Sequence, residues 1–135
     1  MPISYALEPD LSAEDFQAVL IASTLAERRP ADDLARLDRM LRQADIVATA
    51  RHGGRLIGVS RAITDFSYCC YLSDLAVAAS HQRQGIGKGL IAETHRAAGQ
   101  DLTMLLLVAA PAAETYYPRI GMQPVTRGWS IPRKS

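Results

Sequence analysis

Along most of this chain apolar residues recur with a period of two or of three to four, and the changes of period mark the elements. Ile3 to Leu7 reads as a short first strand. Ser12 suits a helix N-cap, with Glu14 and Asp15 in the first turn and Leu11 and Phe16 placed as a hydrophobic staple. Phe16, Val19, Leu20 and Ser23 then share one helical face, and Arg28-Arg29-Pro30 is expected to end that helix. A second helix follows, with Asp32 and Asp33 near its start, Arg39 and Arg42 near its end, and an apolar line of Leu34, Leu37, Leu41 and Ala44. Both helices are expected to pack on the core.

Ile46 to Arg51 and Arg55 to Thr64 are strand-like, and Gly53-Gly54 between them supplies the positive φ angles of a tight hairpin. His52 beside that turn is expected to be solvated. Asp65-Phe66-Ser67 makes another turn into the run Tyr68 to Ala78. Within this run Cys70 and Leu72 share one face by alternation, as do Leu75 and Val77, but the two pairs are out of phase. Either an extra residue near Ser73-Asp74 forms a β-bulge, or the strand is buried on both faces and phase carries no meaning. Ile86, Leu90, Ile91, Thr94, Ala97 and Ala98 give an amphipathic helix closed by Gly99. Leu102 to Ala109 is a near-continuous apolar run, expected of a central strand covered on both sides. Pro111 can start a short helix that Pro118 distorts and Gly121 ends, and Met122 to Ile131 reads as a last, polar-edged strand.

Composition narrows the picture without redirecting it. The 135 residues suffice for one domain, 1–135, with a core of its own. A formal net charge of +1 gives no electrostatic case for nucleic acid, and no apolar run approaches the ~20 residues that span a bilayer. The N-terminal Met1-Pro2-Ile3-Ser4 shows no signal-peptide pattern. Cys69 and Cys70 are adjacent, so an ordinary disulfide between them is sterically awkward; both are expected to be reduced, as in a cytoplasm. His52, His81 and His95 are scattered without metal-like spacing, and no metal site is expected.

The candidate chemistry gathers where the strand ending in Leu75-Ala76-Val77 runs through Gln82-Arg83-Gln84-Gly85-Ile86-Gly87-Lys88 into a helix. Such a junction leaves backbone N–H groups unpaired at a helix N-terminus, where the dipole favours negative charge, and its glycines let a bulky anion approach. Two phosphate cradles fit poorly: a P-loop needs Ser or Thr after its lysine, where Gly89 stands, and the dinucleotide fingerprint needs a third glycine where Leu90 stands. The remaining pattern, Gln82-x-x-Gly85-x-Gly87, resembles the acyl-CoA-binding motif of the GNAT superfamily of N-acyltransferases. Tyr116-Tyr117-Pro118-Arg119-Ile120-Gly121-Met122 resembles the same family's Phe-Tyr-x-x-x-Gly-Phe segment, with Met122 in place of the usual aromatic. The element order is consistent with that fold over nearly the whole chain.

The resemblance implies an α/β (α+β) domain: a mixed, mostly antiparallel central sheet with helices on both faces. It implies transfer of an acetyl group from acetyl-CoA to a primary amine of a small molecule, with a protein lysine or N-terminal acetyltransferase, or a non-catalytic acyl-CoA-binding regulator, as alternatives. Cofactor contacts would fall on Leu75, Ala76, Val77, Gln82, Arg83, Gln84, Gly85, Ile86, Gly87 and Lys88. Tyr117 falls where the family places its general acid, while Tyr116 is the better candidate for packing beneath the sheet. Asp74, near the reacting carbonyl, could act as a base through water, attract a cationic amine, or hydrogen-bond the strand. Asp65, Phe66, Tyr68 and Tyr71 are candidates for the acceptor lining. No nucleic-acid or membrane partner is implied, and a homodimer is one allowed state.

Overall fold

The structure, a computed structural model, describes residues 2–134. Five strands, β1 (Ile3–Leu7), β2 (Ile46–His52), β3 (Arg55–Thr64), β4 (Cys69–Val77) and β5 (Met104–Leu106), form one sheet in sequence order. The first three pairings are antiparallel and β4–β5 is parallel. Between the strands lie α1 (Ala13–Ser23), α2 (Leu34–Gln43) and α3 (Ile86–Ala98), and the short α4 (Tyr116–Arg119) follows β5.

Local chemistry explains the ends. Ser12 accepts a hydrogen bond from the Asp15 N–H (3.1 Å) and starts α1, and Asp33 does the same for α2 through the Arg36 N–H (3.0 Å). The Gly53-Gly54 turn has φ of 59° and 83°, which fits the hairpin joining β2 to β3. Gly99, at φ 98°, closes α3. Helix α1 is shorter than Arg28-Arg29-Pro30 suggested. It stops at Ser23 because Thr24 takes a left-handed conformation, and a 3-10 turn over Leu25–Arg28 carries the chain onward.

The two faces of the sheet are covered by different helices. Phe16, Val19 and Leu20 of α1 and Leu37 and Leu41 of α2 pack with Val47, Val59 and Ala76. On the other face Ile86 and Leu90 of α3 pack with Ala48, Ala50, Ile57, Leu75 and Val77. Full burial of a side chain such as Phe16 or Leu37 contributes about 1.5–3 kcal/mol, so these two layers hold the sheet.

Two expectations about the C-terminal third are corrected. Leu102 to Ala109 is not a central strand. Only Met104–Leu106 pairs, at the sheet edge, and Leu102, Met104 and Val108 are 68%, 63% and 75% exposed. An apolar run signals burial only where a neighbouring layer covers it, and this edge has β4 alone. Met122 to Ile131 forms no strand: beyond α4 the described chain is irregular, and Trp129 and Ile131 are almost fully exposed. Pro124 and Gly128 interrupt that segment and Pro132 follows it, which disfavours ladder pairing.

Candidate active site

The β4 strand settles the question of phase. Arg61 pairs with Asp74 and the next residue, Ala62, pairs with Leu72, leaving Ser73 unmatched. This bulge turns Cys70, which packs against Ala98, and Leu75 and Val77, which pack near Ile86 and Leu90, toward the same helix. On the other edge of β4 the pairing with β5 ends at Tyr71 and Leu106. The stretch from Leu72 to Val77 therefore pairs with β3 alone.

That half-paired stretch leads directly into the glycine turn. Arg83 and Gly85 both have left-handed φ, 65° and 80°, so the chain reverses there before α3 begins. Gly85 is the N-cap of α3 and supplies no side-chain cap. The Gly89 N–H closes the first helical turn on the Gly85 carbonyl (3.0 Å), while the N–H groups of Ile86, Gly87 and Lys88 precede any intrahelical partner. Arg83 and Lys88 are exposed beside them, and Ile86 and Gly87 are buried. Three N–H groups without intrahelical partners, two cations and a helix dipole of the right sign are the features that a pyrophosphate needs.

The other expected contacts divide. Gln82 donates its side-chain amide to the Val77 carbonyl (3.0 Å), tying the turn back to β4, and Gln84 is exposed. Leu75 and Val77 lie half-buried on the face of α3, whereas the Ala76 side chain is buried on the α1 face, so Ala76 can offer a ligand only its backbone. Tyr117 is half-buried in α4, and its hydroxyl has no hydrogen-bond partner among the described residues. Burial, and secondarily the neighbouring Tyr116, push its phenol pKa above the ordinary value, so it holds its proton at neutral pH.

Asp74 lies at the bulge inside an ion cluster. It is fully buried, and Arg29 and Arg61 each give their Nε–H to one of its carboxylate oxygens. The same guanidiniums reach the bulge: Arg29 donates to the Ser73 carbonyl (2.8 Å) and Arg61 to the Ser73 hydroxyl (3.0 Å). The carboxylate is thus held by two guanidiniums, and its partners are side chains rather than the strand backbone.

Of the residues expected to line an acceptor pocket, Asp65 and Tyr71 meet in an open cavity of about 460 Å³, with Ile63, Met104 and Leu106. Phe66 and Tyr68 lie outside it. The Asp65 carboxylate accepts from the N–H groups of Ser67, Tyr68 and Cys69 (3.0, 2.8 and 3.1 Å), which lower its pKa to about 2. Two features were missed in the sequence. His52 and His81 meet ring nitrogen to ring nitrogen at 3.0 Å, although 29 positions separate them. Tyr116 does not simply pack beneath the sheet: a Cβ built on Gly87 would lie 2.6 Å from its hydroxyl oxygen. No periodic signal encodes either contact.

Comparison with known proteins agrees with this fold. Residues 43–124, more than half of the chain, match the family model described as an acetyltransferase (GNAT) domain. No curated protein sequence matches. A probable acetyltransferase of unknown function from meticillin-resistant Staphylococcus aureus superposes with a TM-score of 0.78 at 21% identity, covering 98% of this chain and all of that one. An aminoglycoside N-acetyltransferase in complex with CoA gives 0.74 at 19% identity, covering 99% and 96% of the two chains. A ribosomal-protein-alanine N-acetyltransferase from Brucella melitensis gives 0.71 at 19%, covering 98% and 100%. At such identities the structures speak for the fold and the family model speaks for descent: the chain belongs to the GNAT family of acetyltransferases.

Proposed function

We propose that this chain transfers the acetyl group of acetyl-CoA to a primary amine of a small molecule by direct attack of the amine on the thioester. One observation carries the reading: β4 loses its β5 partner after Tyr71 and runs, half-paired, into an uncapped helix N-terminus flanked by Arg83 and Lys88. An extended pantetheine arm can add to such an edge as a strand does, while the pyrophosphate meets the N–H groups.

Acetyl-CoA, when bound, supplies an acyl thioester. The backbone N–H groups from Arg83 to Lys88 would hold its phosphates, and the backbone of Leu75, Ala76 and Val77 would align the arm. A backbone N–H near Leu75 would favour the carbonyl oxygen as it gains charge. The amine nitrogen bonds to the carbonyl carbon, and the C–S bond breaks with its electron pair going to sulfur. Tyr117 donates its phenolic proton to that sulfur, and water takes the proton lost by the amine. Asp74 holds the bulge rather than accepting a proton. The apolar cavity edged by Asp65 suits a small amine whose ammonium is drawn to the carboxylate. Both cysteines are free, which suits a reducing compartment.

The test is acetyl-CoA with a panel of small amines and lysine peptides, reading free thiol. Turnover with a small amine is the expected result. Binding without turnover across the panel would favour a regulator, and turnover of peptides alone would favour a protein acetyltransferase. A melting experiment belongs beside it, because a ligand at ~100 times its dissociation constant adds about 2.7 kcal/mol. CoA should raise the melting temperature far more than NAD or ATP.

A further inference from the structure

The first two turns of α3 carry glycine at 87 and 89, and a tyrosine hydroxyl stands over each. A Cβ at Gly87 would meet the Tyr116 hydroxyl at 2.6 Å, and one at Gly89 would collide with the hydroxyl of Tyr5. The two glycines therefore already serve the protein's own phenols. Tyr116 arrives from α4 half-buried, and its ring packs edge-on against Tyr117 with centroids 5.2 Å apart. Burial raises the Tyr116 phenol pKa, and the nearby Lys88 N–H offsets only part of that rise.

Resting on the proposed cofactor site, we infer that the Tyr116 hydroxyl is a resident occupant of the cradle, which the CoA pyrophosphate must displace in order to bind. The hydroxyl lies beside the open end of α3, where Gly85 offers no side-chain cap. It is a neutral stand-in for an anion, which the helix dipole favours less than a phosphate oxygen. A phosphate therefore wins the exchange, with its affinity reduced by the contact it breaks. Displacement also has a direction. The Tyr116 ring packs edge-on against that of Tyr117, so moving the first ring disturbs the second. Entry of the cofactor would thus reset the ring proposed to deliver the proton, and Tyr116 acts as a positioning residue.

The experiment compares wild type with Tyr116→Phe by calorimetry, using CoA and, as the probe lacking pyrophosphate, pantetheine. The ring remains, so the fold is expected to survive; Tyr116→Leu serves as the second variant should melting show otherwise. Losing a neutral hydroxyl contact from the free protein should tighten CoA by about 2- to 10-fold and leave pantetheine unchanged. CoA affinity that is unchanged or weaker in both variants overturns the inference while leaving the proposed function in place. An equal gain for pantetheine overturns it too, because the effect would not lie at the pyrophosphate. Wild type that binds neither probe removes the cofactor site itself, and the inference with it.

Discussion

Arg29 donates to the carbonyl oxygen of Ser73 at 2.8 Å, joining the α1–α2 connection to the β4 residue that the bulge leaves without a β3 partner. With its Nε–H on Asp74, and with Arg61 on the same carboxylate, this contact fixes the bulge from the helix side. The bulge in turn sets which face Leu75 and Val77 present. The ion cluster therefore holds the bulge that orients the half-paired end of β4.

Asp74→Asn should strip the charge that two guanidiniums share in a buried place. Breaking such a pair costs about 3–5 kcal/mol, because it leaves the partner charges uncompensated. Urea unfolding is expected to show a loss of that order. A loss below about 1 kcal/mol, together with a selective defect toward cationic amines, would return Asp74 to the acceptor site.

Tyr117→Phe removes one hydroxyl and leaves the ring to pack. If that hydroxyl protonates the departing thiolate, kcat should fall by about 10²–10⁴ while CoA affinity holds. Burial raises the pKa of this phenol, so wild-type kcat should persist to the alkaline side of its ordinary value near 10 and fall only above it. That alkaline limb should vanish in the variant. A near-normal kcat, with chemistry shown to be rate-limiting, would eliminate Tyr117 as the acid.

Gly87→Glu should abolish CoA binding in a folded protein. The new carboxylate would sit at the positive end of α3, in the space shared by the cradle and the Tyr116 hydroxyl. The atom it meets is the far end of the Tyr116 side chain, which can swing aside, so circular dichroism should stay native. Calorimetry giving wild-type affinity would move the cradle elsewhere.

Acid should expose the role of Asp65. Its pKa is about 2 in the folded chain, against about 3.9 for a free aspartate, through the N–H groups of Ser67, Tyr68 and Cys69. A depressed carboxylate contributes stability that is complete above the unfolded value and is lost as pH falls through the folded one. Stability should therefore decline between about pH 4 and about 2. In Asp65→Asn that part of the decline should flatten, and the variant should be less stable than wild type at neutral pH. An unchanged acid limb would show that the turn does not depend on the charge.

Local pattern by itself determined most of the elements. Ser12, Gly53-Gly54, Gly85 and Gly99 mark ends because each provides a cap or a backbone angle that its neighbours cannot, and the spacing of Phe16, Leu20, Leu37 and Leu41 marks the faces that are buried. The glycine turn was legible for the same reason: an uncapped helix start is a property of a few consecutive residues. Only tertiary structure decided what depends on distant partners. Leu102 to Ala109 has the composition of a covered strand, but coverage is set by neighbours, and β5 has one. The two readings of phase in β4 were equal in the sequence, and the pairing of Arg61 with Asp74 chose between them. Asp74 meets Arg29 across 45 positions and Arg61 across 13, and Tyr116 meets Gly87 only because α4 folds back over α3. Periodicity reports which side of an element faces inward; it carries no information about which distant side chain will be waiting there.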